Sequence, residues 1–365
     1  MDATDFQPFS RDLPASEKYA WQIPCPLEAH AHFRDGPLAT LTLLNLASYC
    51  PRAIGMPNLE PPIVDEASLL AYDGRLQTIV NNLCLGSELE LNYMLGLHDQ
   101  TRYQDVRWVD RRRDVMRAFK LYLKGTTTNS QGGVSDMFSL HMLDVYRLMS
   151  DLGVPLSIHL EEPKSADYPV ESWDLLEEEA MWRLIKLHEL FPELKIVVEH
   201  VSTASLINLI KSMPNNVVGT LAIQHALLLN ADALANVNDR CKPIAKSESN
   251  RDAVRREAMN PGSKFFMGTD VAGHKYPKTL PGVFPLNPIG CWATLFEADD
   301  ASDYLEGFTS IRGPQSYGLK PSECTLTLVK EPYEVPNMIT CGQTISIIPL
   351  LAGKTVAEWS VVAAV

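Results

Sequence analysis

Short apolar runs recur along the chain, and each is followed by a polar loop and then by an amphipathic segment. Eight of these runs are rich in β-branched and aliphatic residues, which predicts buried strands. They span residues 23–33, 52–58, 91–98, 118–123, 155–161, 195–201, 217–225 and 264–270. Between them, apolar residues recur at intervals of three and four, as in 174–191 and 205–213. The pattern predicts β-strands that alternate with α-helices.

Eight strands alternating with helices predict a (β/α)8 TIM barrel, in which functional side chains lie where strands end and loops begin. A doubly wound parallel sheet is the alternative architecture. Such a sheet normally has a glycine-rich turn after its first strand, and none follows residues 23–33. We therefore expect a single barrel domain over residues 1–365, with the barrel core in about 23–300 and closing helices and a tail in about 300–365.

Composition and charge exclude several classes of partner. The net charge of -13 argues against broad binding to nucleic acid or anionic lipid, which requires clustered Lys and Arg. The seven cysteines have no CxxC spacing, a pattern typical of a reduced, intracellular protein. The N-terminal residues lack the features of a signal peptide, and no apolar run approaches the ~18 residues of a membrane span. We expect a cytoplasmic protein that acts on a small molecule.

Potential metal ligands lie near the ends of the predicted strands. His30 and His32 are two residues apart, so a strand directs both side chains to one face. His159, His200 and Asp270 lie at the ends of three later strands. Alone, such a histidine is more often a core residue, and such an aspartate is often a helix N-cap. Together they predict a site for divalent cations held by nitrogen and oxygen.

Lys120 strengthens this prediction because it lies in AFKLYL, between large apolar residues. A buried, uncompensated ammonium is unfavourable by several kcal/mol. The side chain must therefore reach solvent, pair with a carboxylate, or be modified. Reaction of the amine with CO2 would give a carbamate whose oxygens could bridge two cations. Two such cations would activate water, and Asp270 could carry its proton to a leaving nitrogen. The chemistry indicated is hydrolysis, or reversible closure, of an amide-like C–N bond.

Eight motifs together resemble one enzyme family. In chain order they are HAHFRDG, GMPNLEPPI, FKLYLKGTTTNSQGGVSD, IHLE, VEHVST, CKPIAK, GTDVAGH and GPQSYGL. They are similar to the stand-alone (class II) dihydroorotases of the amidohydrolase superfamily, and the resemblance extends from about residue 24 to 350. Members of this family are zinc enzymes. The resemblance implies reversible cyclisation of N-carbamoyl-L-aspartate to L-dihydroorotate in pyrimidine biosynthesis, by a homodimer.

The resemblance also implies a role for each matching residue. His30, His32 and Asp270 would hold the more buried zinc, and His159 and His200 the more exposed one. Carboxylated Lys120 and a hydroxide would bridge the two ions, with Asp270 as general base and acid. The substrate contacts would come from Arg34, Asn58 and His274 at the α-carboxylate, from Thr127 and Thr128 at the tip of a closing loop, and from backbone near Lys242 and Gly282.

Some positions depart from the family pattern. Glu28 replaces an aspartate, Leu160 replaces a glycine, Val271 and Gly273 stand within GTDVAGH, and TLPGVF replaces a cysteine-rich segment. These changes leave open an alternative, a related amidohydrolase or cyclase for a different carboxylated imide or ureide. A further alternative is a catalytically silent scaffold. A scaffold would be expected to lose metal ligands, and none is lost.

Overall fold

Eight parallel strands form the central sheet of the computed structural model, which describes residues 20–85, 89–164, 169–342 and 345–364. In chain order they are β2 (Leu27–Ala31), β3 (Arg52–Gly55), β4 (Glu90–Gly96), β5 (Met116–Leu121), β6 (Leu156–Ile158), β7 (Ile196–Val198), β8 (Val217–Leu221) and β9 (Phe265–Met267). Each pairs with the next along the chain. A parallel bridge between Ala31 and Val271 brings the last strand back to the first. The predicted TIM barrel is confirmed.

Helices alternate with these strands. They are α1 (Gly36–Ala47), α2 (Glu66–Asn82), α3 (Tyr103–Arg111), α4 (Leu140–Leu152), α5 (Leu176–Glu179), α6 (Met181–Leu190), α7 (Ala204–Ser212), α8 (Ile223–Leu227), α9 (Asn230–Ala235), α10 (Glu248–Ala258), α11 (Pro288–Ala298) and α12 (Arg312–Ser316). Local sequence sets their ends. The side chains of Asp65 and Ser68 form a reciprocal capping box at α2, and Gly153 ends α4 with a φ of 65°.

Three barrel strands are shorter than predicted, because the residues that follow them are not part of the hydrogen-bonded ladder. The predicted strand 155–161 is reduced to Leu156–Ile158, and 195–201 to Ile196–Val198. The predicted strand 217–225 ends at Leu221 and is followed by the short helix α8. The polar residues after the first two of these strands lie in loops, and those after the third lie in α8.

The prediction for about 300–365 is partly wrong. Short helical segments do occupy 302–316, but strands follow where a tail was expected. They are β10 (Thr325–Val329), β11 (Tyr333–Glu334), β12 (Ile339–Cys341), β13 (Ile345–Ile347), β14 (Thr355–Ala357) and β15 (Ser360–Ala364). Strand β10 pairs antiparallel with β1 (Ala20–Pro24) and with β15. The sequence pattern had joined the end of β1 to β2 in one predicted strand. Pro24 and Pro26 separate β1 from β2, since proline cannot donate to a ladder.

Apolar side chains fill the inside of the barrel. Its lining cluster draws on six barrel strands and includes Leu27, Ala29, Ile54, Met94, Ala118, Val197 and Phe266. The larger core lies between the sheet and the surrounding helices. In the described part of the chain no helix has both the length and the apolar character to cross a membrane. The seven cysteines form no disulfide.

Buried Glu28 connects the first and last barrel strands. Its carboxylate accepts hydrogen bonds from the backbone N–H groups of His30 and Thr269, both at 2.9 Å, and from the Tyr49 hydroxyl at 2.8 Å. Desolvation raises the pKa of this carboxyl, and the hydrogen bonds oppose the shift. Glu28 therefore joins β2, the chain after β9 and the chain after α1 at the barrel seam.

We predict that Glu28→Ala lowers the free energy of unfolding by about 3 kcal/mol or more, because three buried donors lose their acceptor. Urea denaturation followed by circular dichroism measures the change. Glu90→Ala is the control, since Glu90 is exposed and its ion pair with Arg52 should contribute less than about 1 kcal/mol. Equal midpoints for the two variants would contradict the proposed role of Glu28.

Candidate active site

Three of the predicted metal ligands converge at the carboxyl ends of β2 and β9. His30, His32 and Asp270 are buried, and each offers a ligand atom within 4.8 Å of the others. Asp270 Oδ1 lies 3.1 Å from His32 Nε2 and 3.4 Å from His30 Nε2. Two imidazoles and a carboxylate at this spacing form a candidate metal site.

Two further histidines lie beside this group. His159 Nδ1 is 3.0 Å from His200 Nε2. The ring centroids of His30 and His200 are 5.1 Å apart, so the two groups adjoin. Burial, followed by the neighbouring His159, His30 and Lys120, holds the pKa of His200 well below its usual value. His200 therefore stays neutral, the form in which imidazole binds a metal.

Buried carboxylates orient two of these rings. Glu199 Oε2 lies 2.8 Å from His30 Nδ1, and Glu161 Oε2 lies 2.7 Å from His159 Nε2. Each contact leaves the other ring nitrogen directed at the cluster, as is usual for metal-binding histidines. Neither Glu161 nor Glu199 was predicted from the sequence. The signal that could have identified them is a charged residue next to an apolar run, in IHLE and VEHVST, as for Lys120 in AFKLYL.

Lys120 lies at the end of β5 and is fully buried. Its Nζ has no hydrogen-bond partner in the described structure and is 4.0 Å from Glu199 Oε1. Burial lowers the pKa of Lys120 to about 8, against the opposing effect of Glu199 and Asp270. The amine is thus surrounded by protein and short of hydrogen-bond acceptors. Lys120 acts on the pKa of both His159 and His200, so this unpartnered amine lies next to the histidine group.

Two of the predicted metal ligands have unusual backbone conformations. His200 and Asp270 have φ values of 42° and 52°. Non-glycine residues rarely adopt such angles, and they occur mainly where function requires them. Both residues follow the last paired residues of their strands. The left-handed turn redirects their side chains into the mouth of the barrel.

A cavity opens next to these residues, and His30, His32, His159, His200 and Asp270 form part of its lining. All the predicted substrate contacts except His274 line it, namely Arg34, Asn58, Thr127, Thr128, Lys242 and Gly282. The lining also includes Tyr122, Ala272 and Pro281, which the sequence analysis did not select. The sequence-predicted residues are thus brought together around one space.

Arg34 lines the cavity, and His274 lies next to Arg34 without lining the cavity. The Arg34 guanidinium donates from Nε to the Gly273 carbonyl at 3.1 Å, and its Nη2 is 3.1 Å from His274 Nε2. Burial, then the charge of Arg34, lowers the pKa of His274 to about 3. Neutral His274 can therefore accept from Arg34 and keep the guanidinium in place.

A loop within residues 125–133 lies over the cavity. Asn58 Nδ2 donates to the Thr128 carbonyl at 3.0 Å, and Thr128 Oγ1 donates to the Pro281 carbonyl at 3.2 Å. Lys242 Nζ donates to the Thr126 carbonyl at 2.8 Å. Gly282 sits close beneath, with a φ of 142°, and an added Cβ would lie 2.6 Å from His274 Nε2. Only glycine fits that position.

Three of the departures from the family pattern lie outside the cavity lining, whereas the segment TLPGVF contributes Pro281 and Gly282 to it. Leu160 is buried in the core, and Val271 forms the bridge that closes the barrel. Gly273 lies beside Phe284 and Ile347, and it meets Arg34 through its carbonyl oxygen. These three positions therefore do not reshape the cavity directly.

Comparisons with known proteins identify the family. No family model matches the chain. A dihydroorotase from Allorhizobium ampelinum is 35% identical over 332 residues, which are 87% of this chain and 91% of that protein. The crystal structure of dihydroorotase from Saccharomyces cerevisiae in complex with 5-fluoroorotic acid superposes with a TM-score of 0.84 at 28% identity, covering 94% of this chain and 98% of that one. Dihydroorotase from Campylobacter jejuni gives the same TM-score and identity over 96% and 99%. The chain belongs to the dihydroorotase family of the amidohydrolase superfamily and is a cyclic-amide hydrolase.

Proposed function

We propose that the protein is a zinc-dependent dihydroorotase that interconverts N-carbamoyl-L-aspartate and L-dihydroorotate in pyrimidine biosynthesis. The observation that carries this proposal is one cavity with the buried ligand group on one side and the Arg34 guanidinium on another. The first can support attack on an amide, and the second can hold a carboxylate. Family membership supplies a substrate pair that has both an amide under attack and a carboxylate.

Two zinc ions are proposed for the ligand group. His30, His32 and Asp270 would hold one, and His159 and His200 the other. Lys120, as its carbamate, would bind both. Support comes from the unpartnered Lys120 Nζ and from the ring nitrogens that converge here. When bound, such ions lower the pKa of water and polarise the carbonyl under attack.

The chain's own contribution to the reaction is proton transfer and positioning. In hydrolysis, Asp270 accepts the proton of the attacking water and delivers it to the ring nitrogen that leaves. In cyclisation the same carboxylate removes the proton from the carbamoyl nitrogen. Asp270 suits this role because it lines the cavity and lies against His30 and His32.

Arg34, Asn58 and His274 are proposed to hold the substrate's α-carboxylate. A guanidinium meets a carboxylate through two parallel hydrogen bonds, which fixes the orientation as well as the position of the ring. Thr127 and Thr128 would close over the bound ring and exclude water, and backbone near Lys242 and Gly282 would face it. The contacts from Asn58 and Lys242 to the loop support a closed arrangement.

We also propose the homodimer that the resemblance implies. Sedimentation of the native protein gives the oligomeric state.

The proposed function predicts which rings the enzyme hydrolyses. We expect turnover of L-dihydroorotate and no comparable turnover of hydantoin, dihydrouracil or succinimide, because these rings lack the carboxylate for Arg34. Assays of all four under one condition measure the preference. Turnover of another carboxylated imide or ureide without dihydroorotate would favour the alternative ring. Absence of turnover together with less than about one zinc per chain would favour the scaffold alternative.

Lys120→Ala is predicted to lose most bound metal and nearly all activity, because removal of a shared ligand loosens both ions. Elemental analysis and the dihydroorotate assay measure the two effects. Lys124→Ala is the matched control, since Lys124 lies four residues further on and is exposed. Full zinc content or retained activity in Lys120→Ala would refute the assigned role.

Arg34→Ala is predicted to keep its zinc and to raise KM about 100-fold with a smaller change in kcat, since it removes a charged contact to substrate. Steady-state kinetics and metal analysis separate binding from metal loss. Arg75→Ala serves as the control, because Arg75 pairs with Asp35 on the nearby surface. Loss of zinc in Arg34→Ala would count against the carboxylate assignment.

A further inference from the structure

One polar group in the cavity has no role in the mechanism above. Tyr122 follows β5, lines the cavity and is 5% exposed. Its hydroxyl has no hydrogen-bond partner within the described structure. A buried hydroxyl without a partner is unfavourable, and native proteins keep few such groups without a reason.

The missing partner alone does not make a site. The hydroxyls of Tyr146 and Tyr317 also lack partners, but neither residue lines the cavity. Tyr146 packs against Phe191 in the outer layer, and Tyr317 against Phe266. Tyr122 differs because its hydroxyl belongs to a residue of the cavity wall, where a ligand can supply the acceptor.

The position of Tyr122 indicates which ligand group it meets. It is two residues from Lys120, whose Nζ lies 5.2 Å from the Tyr122 ring centroid. Its ring centroid is 6.1 Å from that of His159. Arg34 and Asp270 are among the charged groups that act on its hydroxyl. Tyr122 therefore lies near both the ligand group and the guanidinium that is proposed to hold the carboxylate.

Two other lining residues, Asn58 and His200, also carry a buried polar atom without a partner in the described structure, and of these only Asn58 has no predicted role as a metal ligand. Asn58 Oδ1 is buried and has no partner, while Asn58 Nδ2 is occupied by the Thr128 carbonyl. This oxygen is an acceptor and cannot bond to a carboxylate, so Asn58 contacts the substrate's carboxylate only when its Nδ2 leaves the Thr128 carbonyl. The Tyr122 hydroxyl is a donor and can do so. Tyr122 therefore offers a neutral hydrogen-bond donor in the cavity wall, in addition to the charged donor Arg34.

We propose that Tyr122 is a further substrate-binding residue, whose hydroxyl donates a hydrogen bond to the substrate's carboxylate. This inference rests on the proposed dihydroorotase function. It assigns the carboxylate a neutral donor in addition to the guanidinium. A tyrosine that contacts this group throughout the reaction strengthens binding of substrate and transition state alike.

The test compares Tyr122→Phe with wild type and with Tyr146→Phe, each as the metal-loaded enzyme. Tyr122→Phe should raise KM for L-dihydroorotate, and weaken binding of 5-fluoroorotic acid, by roughly tenfold to a hundredfold, the effect of losing a hydrogen bond to a charged group. Its kcat and zinc content should stay close to wild type. Tyr146→Phe should match wild type in every measurement, because it removes a hydroxyl outside the cavity.

Three results would overturn the inference. Unchanged KM and unchanged 5-fluoroorotic acid binding would mean that the hydroxyl does not contact the substrate. A fall in kcat at constant KM would assign it to the transition state instead of the carboxylate. Loss of zinc would make it a support for the metal ligands. If wild type itself neither binds nor converts dihydroorotate, it is the proposed function that fails, and the two failures are therefore distinguishable.

Discussion

The buried carboxylate of Glu199 is the interaction around which the site is built. It accepts hydrogen bonds from Ser157 at 2.5 Å and Thr220 at 2.7 Å, contacts His30 Nδ1, and lies 4.0 Å from Lys120 Nζ. Burial alone would raise the pKa of Glu199, but Lys120, His30 and the hydrogen bonds lower it to about 2. One anion, following β7, therefore ties together β2, β5, β6 and β8. An unpaired charge at this depth would be strongly unfavourable, so the surrounding side chains are held in a narrow set of positions.

Around this centre the cavity wall is formed by loops. The predicted metal-ligand side chains come from the ends of five strands, and the other cavity-lining residues lie in segments that follow β2, β3, β5, β8 and β9. This division is usual for TIM-barrel enzymes, where the sheet fixes the chemistry and the loops select the substrate. The left-handed backbone at His200 and Asp270 marks the boundary between the two parts.

Much of this arrangement could be predicted from the sequence, and the exceptions have physical causes. The alternation of strands and helices predicts the barrel, because the hydrophobic period and the order of the elements can be read along the sequence. His30, His32 and Asp270 stand out because they are polar residues at the ends of apolar strands. Glu161 and Glu199 were missed because acidic residues beside histidines also occur on ordinary loops. Strand β10 was missed because one of its two partners, β1, is about 300 residues away along the chain. Leu160 and Val271 looked like cavity residues in the sequence, yet their side chains turn into the core and the barrel seam.

The central claim is that the buried amine of Lys120 carries a carbamate that joins two metal ions. Carbon-13 NMR of the native, fully metallated enzyme prepared with labelled bicarbonate, combined with elemental analysis, addresses it most directly. We expect the wild type to give a carbamate resonance and to contain two zinc ions per chain. We expect Lys120→Ala to lack that resonance. A fully metallated, active enzyme with an unmodified amine at Lys120 would contradict it.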